Sequence, residues 1–169
     1  MTPLNACTLP PALTPTQQQR FQDEAVIRDI LTTAKTIAIV GLSSDSEKAS
    51  NRVAVYLKEK GYRIIPVNPS TQKILGEICY PDLASIPEKI DLVDIFRLPA
   101  EMPAIVDQAI AIHAKAVWMQ LRLTHIEAAE KALTAGLKVV VDKCTKIEQA
   151  RMDIGRPLNP PILQPNGFE

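Results

Sequence analysis

The chain has 169 residues with 19 basic and 19 acidic side chains, so no overall field draws in a polyanion, and broad nucleic-acid or anionic-membrane binding has no support from charge. Hydrophobic residues make up 46% and aromatic ones only 4%, so the core is built from Val, Ile, Leu and Ala, as in buried parallel strands flanked by helices. No apolar run approaches the roughly 20 residues that span a bilayer, and the first residues lack the basic start and continuous apolar stretch of a signal peptide.

The expected compartment is therefore cytoplasmic. Cys7, Cys79 and Cys144 lie far apart, which argues for reduced thiols and against a disulfide framework or a zinc site.

Residues 1–16 contain four prolines and no charged side chain, and read as a loose N-terminal arm. From Gln17 the pattern turns helical: Phe21, Ala25, Ile27, Ile30 and Leu31 mark an apolar side among charged residues, giving one leading helix. Thr36 to Val40 is a short apolar run that ends at Gly41, the mark of a buried strand entering a tight turn. After a polar stretch, Val53, Tyr56 and Leu57 recur at helical spacing up to Gly61. Tyr62 to Val67 is a second strand, stopped by Asn68-Pro69 because proline lacks the N–H and restricts its predecessor. The unit is βαβ and right-handed.

Alternation continues with strands at Leu92 to Phe96, Ala116 to Gln120 and Val139 to Val141, and helices at Ala100 to His113 and Ile126 to Ala135. Gly76 to Tyr80 is a candidate edge segment, and Thr145 to Met152 a final helical turn or two. The fold class is thus α/β, a Rossmann-like doubly wound parallel sheet of about five strands with helices on both faces. Residues 17–153 form the domain and 154–169 a proline-rich tail.

In an open parallel sheet, ligands bind outside the carboxyl ends of the strands, and the first βα turn commonly receives a phosphate. Here that turn is Gly41-Leu42-Ser43-Ser44, one glycine followed by hydroxyls, without the G-x-G-x-x-G of dinucleotide sites. Gly41 allows close backbone approach, Ser43, Ser44 and Ser50 offer hydroxyls, the helix beginning near Ser50 offers free N–H groups, and Arg52 adds a fork suited to phosphate. The same serines can equally cap a helix, with Arg52 in solvent. The second strand ends in Asn68 where a nicotinamide site expects a carboxylate, which makes NAD a poor candidate.

Five motifs then carry a resemblance. Gly41-x-Ser43, Gly61-Tyr62 with Pro66-Val67-Asn68-Pro69, Asp91 to Arg97, Trp118-Met119-Gln120 and Asp142-Lys143-Cys144 occur in the order seen in the small bacterial CoA-binding proteins. That family is similar in fold to the N-terminal domain of the succinyl-CoA synthetase α subunit, and the resemblance covers roughly Thr36 to Arg151. It implies coenzyme A across the carboxyl ends of the strands. Gly41, Ser43, Ser44, Ser50 and Arg52 would hold phosphates, Val67, Asn68 and Pro69 would wall the nucleoside, and Phe96 and Arg97 would follow the third strand. Trp118, Gln120 and Cys144 would line the deeper end, towards the pantetheine arm.

Two positions depart from the family pattern. The residues after Asn68-Pro69 are Ser70-Thr71-Gln72, so the first cation available to a 3′-phosphate is Lys73. Arg122 stands where relatives commonly carry glycine, and can cover the pocket, bind an acyl carboxylate or face solvent.

Cys144 is either a reactive thiol beside the crevice or a small buried apolar residue. His113 and His125 lie at predicted helix ends with no partner at ligand or triad spacing. No nucleophile and base constellation is visible. The reading is a binding module for CoA or a short acyl-CoA without a complete catalytic site. A partner-dependent acyl-CoA ligase component and an NAD(H) sensor are the alternatives, with a homodimer or another protein as possible partner.

Overall fold

A computed structural model describes residues 11–154, so residues 1–10 of the expected arm over 1–16, and the tail beyond Ile154, lie outside the described residues. Helical structure begins earlier than Gln17. Leu13 is buried, and Thr14 caps helix α1 (Pro15–Phe21) in a reciprocal capping box with Gln17, while Pro15 stands at the helix start where its missing N–H costs nothing. The expected single leading helix is two. Asp23 takes the amides of Ala25 and Val26 and so starts α2 (Glu24–Thr33), breaking the chain direction after Gln22.

The central elements follow as β1 (Thr36–Val40), α3 (Ala49–Glu59), β2 (Arg63–Val67), a small antiparallel hairpin β3 (Lys73–Ile74) and β4 (Glu77–Ile78), and β5 (Leu92–Ile95). A 3-10 turn (Pro99–Glu101) leads into α4 (Met102–Ala111), followed by β6 (Ala116–Met119), α5 (Ile126–Thr134), β7 (Lys138–Val141) and α6 (Thr145–Met152). The expected edge segment at Gly76 to Tyr80 is in part this hairpin, turning at Leu75 and Gly76, and in part a parallel bridge of Tyr80 to Val67.

Five parallel strands form one sheet in the order β2-β1-β5-β6-β7. After β2 the chain crosses over β1 to lay down β5 on its other side, so the direction of winding reverses between β1 and β5. That gap is the topological switch point of the fold.

The strand sequences are apolar on both faces because both faces are covered. Ala38, Val40, Ile65, Val67, Val93, Ile95, Val117, Met119, Val139 and Val141 pack with Phe21 and with buried residues of α4 and α5. Their neighbours Ile37, Ile39, Ile64, Leu92, Ala116, Trp118 and Val140 pack on the other side with α2, α3 and Met152 of α6. Strand parity thus assigns each side chain to one of two half-cores. It also decides which residues can reach the site.

Candidate functional site

The carboxyl ends of β1, β2 and β5 frame an open crevice of about 450 Å³ at the switch point. Val40, Gly41 and Val67 form its floor, Pro69, Pro81, Asp82 and Leu83 one wall, and Arg97, Ala100, Glu101, Ala104, Ile105 and Gln108 the other. Val40, Val67 and Ile105 belong to the half-core beneath α4, so the crevice opens on that face. Ala104 and Gln108 stand one turn apart on α4, and the small side chains of Ala104 and of Ala100 in the preceding 3-10 turn leave room beside them. Gln108 also accepts the Leu83 amide at 3.2 Å and so ties the two walls.

Gly41 is required here by its own backbone. Its φ is +84°, and a Cβ would stand 2.5 Å from the Phe96 carbonyl oxygen and 2.6 Å from the Arg97 side chain. The ladder continues past the strands on both sides, with the Gly41 amide donating to Val67 and the Phe96 amide to Val40. The glycine therefore lets β1 and β5 end side by side.

The β1–α3 loop is held by its own polar groups. Ser50, buried, accepts the Ser43 amide at 3.0 Å; Asn51 donates to the Ser43 carbonyl at 2.8 Å; and the Ser43 hydroxyl accepts the Asp45 amide at 3.1 Å. Asn68 reaches across to the Leu42 carbonyl at 3.0 Å while its own oxygen accepts the Ser70 amide. Lys48 occupies the N-cap of α3 without a capping side chain, and the first turn holds no acid. Among the described residues nothing accepts the Ala49 and Ser50 amides, so this helix start keeps free donors and its positive dipole end. Ser44 is exposed, and Arg52 is exposed and paired with Glu47 at 2.8 Å.

Two further depressions adjoin the crevice. One, of about 480 Å³, shares Pro69 and Pro81 with it and is lined also by Asn68, Thr71, Gln72, Lys73, Ile78 and Cys79. Cys79 gives its thiol to the Asn68 carbonyl, and burial pushes that thiol's pKa up. The other, of about 200 Å³, is lined by Phe96, Arg97, Leu98, Glu101 and Leu123. Arg97 pairs with Glu101 at 2.7 Å, and this hydrogen bond holds the Glu101 carboxyl below its ordinary range.

The expected deeper end at Trp118 and Gln120 lies in the interior instead of along a crevice wall. Trp118 is fully buried in the half-core beneath α2 and α3, with its indole N–H donating to the Lys143 carbonyl at 2.8 Å. Gln120 Nε2 donates to Asp94 Oδ1 at 2.5 Å and to Thr145 at 2.9 Å, and the Thr145 hydroxyl donates to Asp94 Oδ2 at 2.9 Å. Parity decides this. Asp94 follows Leu92 on its face and pairs in register with Trp118, so all three point away from the crevice. Burial raises the Asp94 pKa to about 7 against the pull of its hydrogen bonds. Cys144 is half-buried at the N-cap of α6 against the same half-core.

Arg122 is exposed with φ of +63°, and its amide donates to Asp142, itself at +60°. The left-handed conformation explains why glycine suits this position. His125 caps α5 by accepting the Ala128 amide, and His113 is exposed. Sequence reasoning missed Pro81 to Leu83 and the α4 wall. The four-residue spacing of Ala100, Ala104 and Gln108 was the available signal.

Residues 35–150 match the model of the CoA binding domain family. The chain belongs to that family. The protein YneT of Bacillus subtilis (strain 168) is 34% identical over 127 residues, which is 75% of this chain and 94% of that one. A hypothetical protein from Pyrococcus horikoshii OT3 has a TM-score of 0.75 at 43% identity, covering 78% of this chain and 92% of that one. The ADP-forming acetate–CoA ligase I of Archaeoglobus fulgidus is 31% identical over 121 residues, 65% of this chain but only 18% of the ligase. This CoA binding domain is thus homologous to one part of a larger ligase. Among its described residues no helix is long and apolar enough to cross a membrane.

Proposed function

We propose that this CoA binding domain holds coenzyme A or a short acyl-CoA along the carboxyl edge of its sheet, as a stand-alone cytoplasmic binding module without a catalytic site of its own. The observation that supports this most is the crevice at the switch point, whose floor residue Gly41 opens the loop that leads to a helix start with free amides. The donor set suits the ligand. Ala49 and Ser50 amides, Lys48 and Arg52 meet phosphate with positive charge, while Val40, Val67 and Ile105 offer apolar surface to the rest. In this reading Asn68, Pro69 and Lys73 flank the nucleoside and its 3′-phosphate.

A second reading, a component of an acyl-CoA ligase that needs a partner, is favoured by the homology to part of the acetate–CoA ligase. The NAD reading is disfavoured by Asn68, whose amide is engaged with Leu42 and Ser70 where a ribose-binding carboxylate would stand.

Calorimetric titration of the full chain with CoA, acetyl-CoA and NAD, with reductant present, separates these. Binding of CoA without NAD is expected. Tight NAD binding, or binding of none of the three, would mean that the family's fold is retained here without its ligand.

A further inference from the structure

Beside the proposed ligand crevice lies the small pocket of Phe96, Leu98 and Leu123, rimmed by Arg97 and Glu101. Its volume of about 200 Å³ is below the roughly 300–1,000 Å³ of pockets that take a whole small molecule. It suits one end of a ligand whose remainder lies elsewhere. That remainder has a place, because Arg97 and Glu101 line both this pocket and the 450 Å³ crevice.

Three of its five lining residues, Phe96, Leu98 and Leu123, are apolar, and Leu98 is 66% exposed. The rim has no spare charge. One Glu101 oxygen takes both Arg97 Nε and Nη2, and the other takes the Leu98 amide at 3.3 Å. A second carboxylate entering here would find the guanidinium engaged and the Glu101 anion beside it.

We infer that this pocket receives the acyl chain of a short, uncharged aliphatic acyl-CoA, and that the protein discriminates such thioesters from free CoA and from dicarboxylic acyl-CoA. The inference rests on the proposal that CoA itself occupies the adjoining crevice. Leu98 and Leu123 supply the contact, and the Arg97–Glu101 pair excludes charge.

The test is calorimetric titration of the full chain with CoA, butyryl-CoA and succinyl-CoA, repeated on Leu98→Asp and on the milder Leu98→Ala. Butyryl-CoA should bind roughly tenfold more tightly than CoA, the effect of burying about two methylene groups. Succinyl-CoA should show no such gain, and the butyryl-to-CoA ratio should fall to about one in Leu98→Asp and part-way in Leu98→Ala. Equal affinities for CoA and butyryl-CoA in the unmodified protein would overturn the acyl pocket and leave the CoA site standing. Equal affinities together with self-association in sedimentation would overturn it in favour of a second copy covering the patch. Binding of none of the three would overturn the CoA reading and this inference with it.

Discussion

Along the carboxyl edge of the sheet, the β1–β5 end and the β6–β7 end are opposites. At the first, Gly41, Val67, Pro69 and Arg97 line an open crevice, and Arg97 is exposed in its pairing with Glu101. At the second, Trp118 and Gln120 are 0% and 3% exposed and their N–H groups donate to neighbours: Lys143, Asp94 and Thr145. Motif residues that stand in a row along one edge therefore divide by face. A polar residue at a strand end stays open to a crevice only where the covering helix leaves a gap, as α4 does at Ala104. Where α6 caps the strands, the same type of residue ties helix to sheet.

Substitution of Trp118 by Ala tests the closed end most severely. It should lower stability by about 3–5 kcal/mol through lost packing, read from urea denaturation, while the folded fraction keeps its CoA affinity. A folded variant of normal stability that has lost CoA would return Trp118 to the ligand wall.

Asp94 sharpens the contrast through pH. Its carboxyl has a folded pKa of about 7 against an ordinary 3.8, so between these values the folded protein holds a proton that the unfolded chain has released. Its stabilising contribution is thus complete below about pH 4 and is lost as the pH rises to about 7. Asp94→Asn should remove this fall, so that the variant gains on the parent between pH 5 and pH 8 in paired urea titrations. Parallel pH profiles for the two proteins would contradict a buried, protonated Asp94.

At the open end the balance reverses. Arg52→Ala should weaken CoA binding by about 1.5–3 kcal/mol if the guanidinium meets a phosphate, yet change stability by less than about 0.5 kcal/mol, because its pairing with Glu47 is solvent-exposed. Unchanged affinity in the calorimeter would remove Arg52 from the site.

The smallest effect is expected at Arg122. Replacement by Gly relieves a left-handed backbone at an exposed position and should raise the unfolding midpoint by the equivalent of about 0.5–1 kcal/mol. CoA affinity should not move, because Arg122 lines neither the crevice nor the two depressions beside it. A loss of affinity would make it part of the site.

Much of this was legible in the sequence. The alternation of apolar runs with helical spacings places all five parallel strands and the helices between them, since each run is short, continuous and ended by Gly, Asn-Pro or charge. Other features were written locally but read too coarsely. Asp23 followed by Glu24 is a helix start, and it splits what periodicity alone joins into one helix. An acid inside the apolar run from Leu92 to Ile95 signals a buried polar network, and Gln120 and Thr145 supply it from elsewhere in the chain.

By itself the sequence determined the α/β class, the order of the elements and the family, because hydrophobic period, caps and turn residues act over a few positions. Only the tertiary structure decided that Trp118 and Gln120 serve the interior while Arg97 and the α4 wall border the crevice. That division depends on the strand order β2-β1-β5-β6-β7, on the register that sets Asp94 beside Trp118, and on which crossover helix lies over each face. All three arise from contacts between residues far apart in the chain, and the local pattern of an apolar strand is the same whichever face its next residue finally takes.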